Sequence, residues 1–185
     1  MTETERWISG APVVAYAWRA ERPKANLLLT HGYGEYAERY VTGYHGLIPA
    51  LNAAGISVFA FDMPGHGRTP GPRGATDLKR TVSHHLAARE TLKVDKRPLF
   101  LMGHSLGGLV TAASAAHDPD GVSGVVLSAP ALEIPANPVL KAVAGAVAAI
   151  APTARLTAAL DADGISRNAA VVEAYRDNPM VIKRA

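Results

Sequence analysis

Pro98-Leu-Phe-Leu-Met-Gly-His-Ser-Leu-Gly-Gly108 joins an apolar run, a glycine-flanked serine and the opening of a helical pattern. Pro98 to Met102 reads as a strand buried on both faces, because its apolar residues are continuous rather than alternating. From Leu106 to Ala116 the apolar residues recur at helical spacing. Between the two, Gly103-His-Ser-Leu-Gly107 forms a G-x-S-x-G turn. A strand leading in and a helix leading out lift a serine hydroxyl above the sheet edge, and glycines on either side permit the crowded backbone. The helix start offers N–H groups and the positive end of a dipole. Ser105 is the candidate nucleophile, with Gly103, His104 and Gly107 as its supporting motif.

Working outward, the same strand-then-turn rhythm repeats, as in a mostly parallel sheet covered by helices. Asn26-Leu-Leu-Leu-Thr30 is a buried strand that ends in His31-Gly-Tyr-Gly-Glu35, and Ile56 to Phe61 is another that ends in Asp62-Met-Pro-Gly-His-Gly-Arg-Thr69. Val122 to Ser128 is a fourth, closed by Ala129-Pro130. Val13 to Trp18 reads as an outer strand. Tyr44 to Ala54 reads as a helix stopped by Gly55. Asp77 caps a long helix through about Leu92, polar on one side and apolar on the other. Acyl transfer needs two donors for the charge that grows on a carbonyl oxygen. The backbone N–H of Leu106 supplies one. The N–H of Tyr33 supplies the other, in a turn where His31, Gly32 and Gly34 support the backbone. The Asp62–Thr69 loop fits no phosphate-binding motif, since its glycine spacing is wrong and no G-K-[ST] follows. His66 reads there as a framework residue.

Composition narrows the classes. The chain of 185 residues is 48% hydrophobic with net charge +3, and its positive charges are scattered, so no nucleic-acid partner is expected. It has no cysteine, which excludes disulfides, thiolate metal sites and a cysteine nucleophile. Met1-Thr-Glu-Thr-Glu-Arg6 lacks the basic and apolar regions of a signal peptide. Ala142 to Ala151 is about half the length of a membrane span, so stable membrane insertion is not expected and a cytoplasmic protein is. No metal or organic cofactor is called for.

His31-Gly-Tyr-Gly-Glu35, the loop Asp62 to Thr69, Gly103-His-Ser-Leu-Gly-Gly108 and Leu127-Ser-Ala-Pro130 together resemble, in order and spacing, the monoacylglycerol lipase and lysophospholipase group of α/β-hydrolases. The resemblance spans nearly the whole chain. It departs at Thr69, where that group usually has serine, and at Met63-Pro64, which replaces a more polar pair. It implies the α/β-hydrolase fold: a mostly parallel sheet flanked by helices, with a helical cap inserted after the fourth parallel strand. On that reading residues 1–130 are the N-terminal part of the core domain and 131–185 begin the cap, which includes helical patterns at Asn137 to Ile150 and Asn168 to Asp177. The implied activity is ester hydrolysis on a small lipophilic substrate, of monoacylglycerol lipase, lysophospholipase or carboxylesterase type, through an acyl-enzyme on Ser105.

Such chemistry also needs a histidine base and an acid, which follow the serine in this fold. His117 is the one histidine after Ser105, and twelve helical residues place it about 18 Å along the axis, pointing away. His31 and His104 brace their turns, His45 starts a helix, and His84 and His85 face solvent. The chain is therefore expected to be incomplete at its C-terminus and inactive alone, its partner being the remaining C-terminal part of the same hydrolase. A non-catalytic, hydrolase-shaped binding protein stands as the alternative from another class. Within serine chemistry an acyltransferase, a perhydrolase or a peptidase stays open.

Overall fold

The computed structural model describes residues 3–132 and 165–182; the helical pattern at Asn137 to Ile150 lies outside them. Six strands form one sheet: β1 (Glu5–Trp7), β2 (Ala15–Trp18), β3 (Ala25–Thr30), β4 (Ile56–Phe61), β5 (Leu99–His104) and β6 (Val122–Ser128), in the order β1-β2-β4-β3-β5-β6. The helices are α1 (Arg39–Thr42), α2 (Leu47–Ala53), α3 (Leu78–Lys93), α4 (Leu106–His117) and α5 (Ala169–Asp177). β4, β3, β5 and β6 run parallel, while β1 and β2 join antiparallel at the β4 side.

The parallel register brings the motifs together. Thr30 pairs with Gly103, and His104 with Ser128. The residues that follow β3, β4, β5 and β6 therefore emerge along a single edge, the carboxyl edge where open α/β sheets bind ligands. Side chains alternate between two faces along each strand. Leu28, Phe59, Phe61, Leu99 and Leu101 pack with Ala88 and Leu92 of α3. On the opposite face Leu27, Leu29, Val58 and Ala60 pack with Tyr40 of α1 and Ile48 of α2. Beyond β5 this cover thins, and Val125, Val126 and Leu127 of β6 remain 42%, 49% and 39% exposed. The 165–182 segment lies far along the chain yet seats Val172, Tyr175 and Val181 in buried positions.

Four local expectations need correction. Val13–Trp18 is not the outer strand: β1 lies outside β2, and Val14 is drawn off by the loop after β4, its N–H bound to Thr69 Oγ1 at 2.8 Å. The helix expected from Tyr44 starts at Leu47, so His45 precedes it. Tyr44, His45 and Gly46 all have positive φ, at 51°, 55° and 66°. That left-handed run turns the chain so that Tyr44 stacks on Tyr40 at 4.4 Å and its hydroxyl reaches Glu35. The third correction is His84 and His85, which are buried rather than solvent-facing.

The fourth concerns the inner side of α3. Asp77 caps the helix as expected, accepting the N–H of Arg80 at 3.1 Å. Its buried positions, however, include Thr81, His84, His85 and Arg89. Thr81 Oγ1 donates to the Asp77 carbonyl at 2.7 Å, whereas His85 and Arg89 have partners on α4 and just past its end. His85 Nδ1 lies 2.8 Å from Ser114 Oγ, and Arg89, fully buried, donates to the Ser114 carbonyl at 2.8 Å and to the Asp120 carbonyl at 3.2 Å.

Candidate active site

Ser105 has φ 51° and ψ −118°. L-residues with a Cβ rarely occupy that conformation, and it makes the turn from β5 into α4 a single residue wide. The turn is bound on both sides. Ser105 N–H donates to the Ser128 carbonyl at 2.9 Å, and the Ser105 carbonyl accepts from Leu109 N–H at 3.2 Å and Ala131 N–H at 3.0 Å. Glycine at 107 is a packing requirement, since a Cβ there would sit 2.2 Å from the Thr30 carbonyl oxygen and 2.4 Å from that of His31. A Cβ on Gly103 would in turn meet the Gly107 carbonyl at 2.3 Å. The start of α4 thus lies directly against the end of β3.

Leu106 is the first residue of α4, so the helix gives its N–H no acceptor. Across from it stands the turn after β3. A Cβ on Gly32 would lie 3.4 Å from Ser105 Cβ and 3.2 Å from His104 Cδ2, which measures how near this turn comes to the serine. The turn is clamped by groups from three directions. Met63 N–H donates to His31 Nε2 at 3.0 Å, so the ring proton is on Nδ1, which donates to the Gly32 carbonyl at 2.8 Å. Glu35 Oε2 accepts the Gly32 N–H at 3.1 Å. Tyr33 is the next residue along this turn.

Glu35 sat inside a quoted motif, but its part is not readable from glycine spacing. It is 5% exposed. Its carboxylate also accepts from the hydroxyls of Tyr40 (3.0 Å) and Tyr44, and Arg39 Nε lies 3.4 Å away. Burial, then the Glu35 charge, pushes both phenols well above the usual tyrosine range. The three-residue step from Gly32 to Glu35, matching a carboxylate folded back on its own turn, is the signal that could have found it. Asp62 anchors the neighbouring loop: its carboxylate accepts from Ala37 N–H (2.8 Å), Arg68 N–H (2.8 Å) and the Tyr16 hydroxyl (3.1 Å). Thr69, the position that departs from the resembling group, donates its hydroxyl to the Asp62 carbonyl at 2.7 Å.

Residues 21–185 match the family described as serine aminopeptidase, S33 (Hydrolase_4). The chain belongs to that family. Its relatives include a monoacylglycerol lipase of Mycolicibacterium smegmatis, 36% identical over 94% of this chain and 62% of that protein. The phospholipase YtpA of Bacillus subtilis is 30% identical over 91% of this chain and 65% of its own length. Among solved structures, the monoacylglycerol lipase of Paleococcus ferrophilus superposes with a TM-score of 0.79 at 34% identity, covering 93% of this chain and 65% of that one. The α/β-hydrolase fold is thereby shown, and the chain spans under two thirds of the length of these three proteins.

All seven histidines of this S33-family chain lie in the described residues, and among those residues none is hydrogen-bonded to Ser105. His104 Nδ1 lies 3.2 Å from both the carbonyl and the hydroxyl of Ser128, bracing the ends of β5 and β6. His66 is buried, donates from Nδ1 to the Pro64 carbonyl at 3.0 Å, and packs its ring 5.2 Å from that of Tyr33. His117 stands exposed at the far end of α4. Among the described residues no group of three or more His, Asp or Glu is gathered as a metal site, and no helix is long and apolar enough to cross a membrane.

Two of these histidines make stability depend on pH. Burial, then nearby Arg89, lowers His85 to about 3; burial, then His31, lowers His66 to about 4. In the unfolded chain both protonate near pH 6.5. Below that pH the unfolded chain takes up protons that the folded chain refuses, so stability is complete above about 6.5 and falls as pH drops toward 4 and then 3. The expected slope is up to about 1.4 kcal/mol per pH unit for each histidine. Urea titrations at pH 7 and pH 5 should show a lower midpoint at pH 5, and His85→Asn should shrink the difference.

Proposed function

We propose that the chain carries the nucleophile and oxyanion donors of a serine hydrolase that cleaves carboxylic esters of lipophilic acyl chains, monoglycerides and lysophospholipids among them. The observation that supports it most is the strained Ser105 turn facing the Gly32–Tyr33 backbone across the sheet edge. The names of the relatives, a monoacylglycerol lipase and a phospholipase, point to the same substrate class.

In this reading Ser105 Oγ attacks the ester carbonyl while its proton passes to a histidine. The N–H groups of Leu106 and Tyr33 hold the oxyanion. Collapse of the tetrahedral intermediate breaks the bond to the alcohol oxygen, which leaves with that proton. Water then attacks the acyl-Ser105 ester and gives a proton to the same histidine; collapse breaks the bond to Ser105 Oγ, which takes that proton back, and the carboxylic acid leaves. In this reading that base and its acid are supplied from sequence beyond residue 185 or from a second chain, a proposal supported by the absence of any histidine hydrogen-bonded to Ser105 among the described residues. On the same reading residues 131–185 belong to the start of a cap insertion.

A fluorophosphonate probe tests the proposal on the assembled hydrolase, with peptide mapping of the labelled residue and a panel of p-nitrophenyl esters, monoglycerides and aminoacyl amides. Label on Ser105 with turnover of monoglycerides is expected. A folded assembly that takes no label, or takes it elsewhere, overturns the reading, and turnover of amides alone makes the protein a peptidase.

A further inference from the structure

The five residues from Asn178 to Ile182 cross the sheet edge and lie on the turn that follows β3. Ile182 N–H donates to the Gly34 carbonyl at 2.8 Å. Gly34 has φ +75°, and a Cβ there would meet the Ile182 carbonyl oxygen at 2.6 Å, so no other residue lets this segment approach so closely. Asn178 Nδ2 donates to the Tyr36 hydroxyl at 2.8 Å, while its Oδ1 accepts Met180 N–H at 2.9 Å and folds the segment back on itself. Arg73 fastens the other side: it donates to the Met180 carbonyl at 2.9 Å and to the Gly67 carbonyl at 3.1 Å. At the end of α5, the Tyr175 ring carries the Arg39 guanidinium at 5.1 Å, and Arg39 is the cation beside Glu35.

These contacts reach both shoulders of one turn. Gly34 and Tyr36 are held directly, and the Glu35 carboxylate, which takes the Gly32 N–H, is reached through Arg39. Tyr33 sits between them. Residues 32–34 hold two glycines, so without outside restraint this backbone would sample many conformations that aim the Tyr33 N–H elsewhere. We infer that residues 178–182 form a strap whose docking positions the Tyr33 N–H toward Ser105, which makes Asn178, Tyr36 and Arg73 positioning residues for catalysis. The inference rests on the reading of Ser105 as nucleophile and Tyr33 as donor, and adds to it a dependence on the segment after α5.

Tyr36→Phe and Arg73→Met remove strap contacts without touching the Asn178 turn or any donor. Two measurements decide. Amide exchange in the 185-residue chain should quicken about tenfold at residues 32–36 and 179–182 in the double variant, with β3 and β5 still protected. In the assembled hydrolase, kcat on a short soluble p-nitrophenyl ester should fall about tenfold for the pair, with KM within twofold, since the lost group acts on the transition state alone. A strap that only packs would lower Tm and leave kcat in place. Unchanged exchange at 32–36 overturns the inference, as does an unchanged kcat where Ser105→Ala abolishes turnover. Turnover that survives Ser105→Ala instead overturns the nucleophile reading, and exchange then judges the strap by itself.

Discussion

Replacing Ser105 by glycine is expected to raise the melting temperature of the chain and, in the assembled hydrolase, to remove turnover. Ser105 holds φ 51° and ψ −118°, where a Cβ crowds its own backbone at a cost of about 1–3 kcal/mol. Glycine adopts that conformation freely. Part of the gain is offset because glycine widens the unfolded ensemble by about 0.4–1 kcal/mol. The balance is a gain of about 1 kcal/mol, or roughly 2–4 °C in a chain of this size. The hydroxyl has no hydrogen-bond partner among the described residues, so its loss leaves no orphan. Ser105→Ala separates the two effects, because it deletes the same hydroxyl and keeps the Cβ. Its Tm should stay near that of the parent, and kcat should fall about a million-fold for both variants, as when a triad serine is removed. Thermal melts of the three proteins check the sign. A glycine variant that melts below the alanine variant would mean that no strain is stored at this turn.

The strand-end motifs were legible because each lies at the junction of two strong local signals. Asn26–Thr30, Ile56–Phe61 and Pro98–Met102 are apolar on both faces, a pattern set by burial in a parallel sheet, and each stops at glycine-containing turns. The Asp77 cap was readable for the same reason, and it accepts an N–H three residues on. What escaped was settled by residues distant in sequence. β1 is three residues long, too short for alternation to show, and exists because β2 offers it an open edge. The start of α2 was misplaced because Tyr44 turns back to Glu35. His84 and His85 were read outward because polar residues on a helix default to water, while Ser114, the partner of His85, is 29 residues away. The site divides likewise. The Ser105 turn is local and stood in the sequence, whereas the Glu35 clamp needs tyrosines from two later turns and the strap needs partners more than a hundred residues apart.

Arg89 is the other position with a large expected effect, and it acts from the opposite end of the helix that Ser105 begins. The last carbonyls of an α-helix lack intrahelical partners, and they carry the negative end of its dipole. One guanidinium meets the C-terminal end of α4 and the residues just past it, although the Ser114 carbonyl also takes the Asp118 N–H at 3.1 Å. Nη1 donates to the Ser114 carbonyl at 2.8 Å and to its hydroxyl at 3.0 Å; Nη2 reaches the carbonyls of Asp118 and Asp120, with the Asp118 carboxylate 3.4 Å away. Arg89 is fully buried, so water cannot take its place. Arg89→Leu fills the volume but removes a charged donor that serves several acceptors at once, at an expected cost of about 3–5 kcal/mol. Against a total stability of about 5–15 kcal/mol, the melting temperature should fall by roughly 10 °C or more. Arg89→Lys keeps the charge but not the fork that spans several carbonyls at once, and should recover less than half of the loss. Melts followed by far-UV circular dichroism distinguish the cases. If leucine is tolerated within about 1 kcal/mol, the burial of the cation is neutral for stability, as some buried ion pairs are. The axis of α4, and with it the aim of the Leu106 N–H, would then be set by its remaining packing, the glycine contacts at Thr30 and His31 among it.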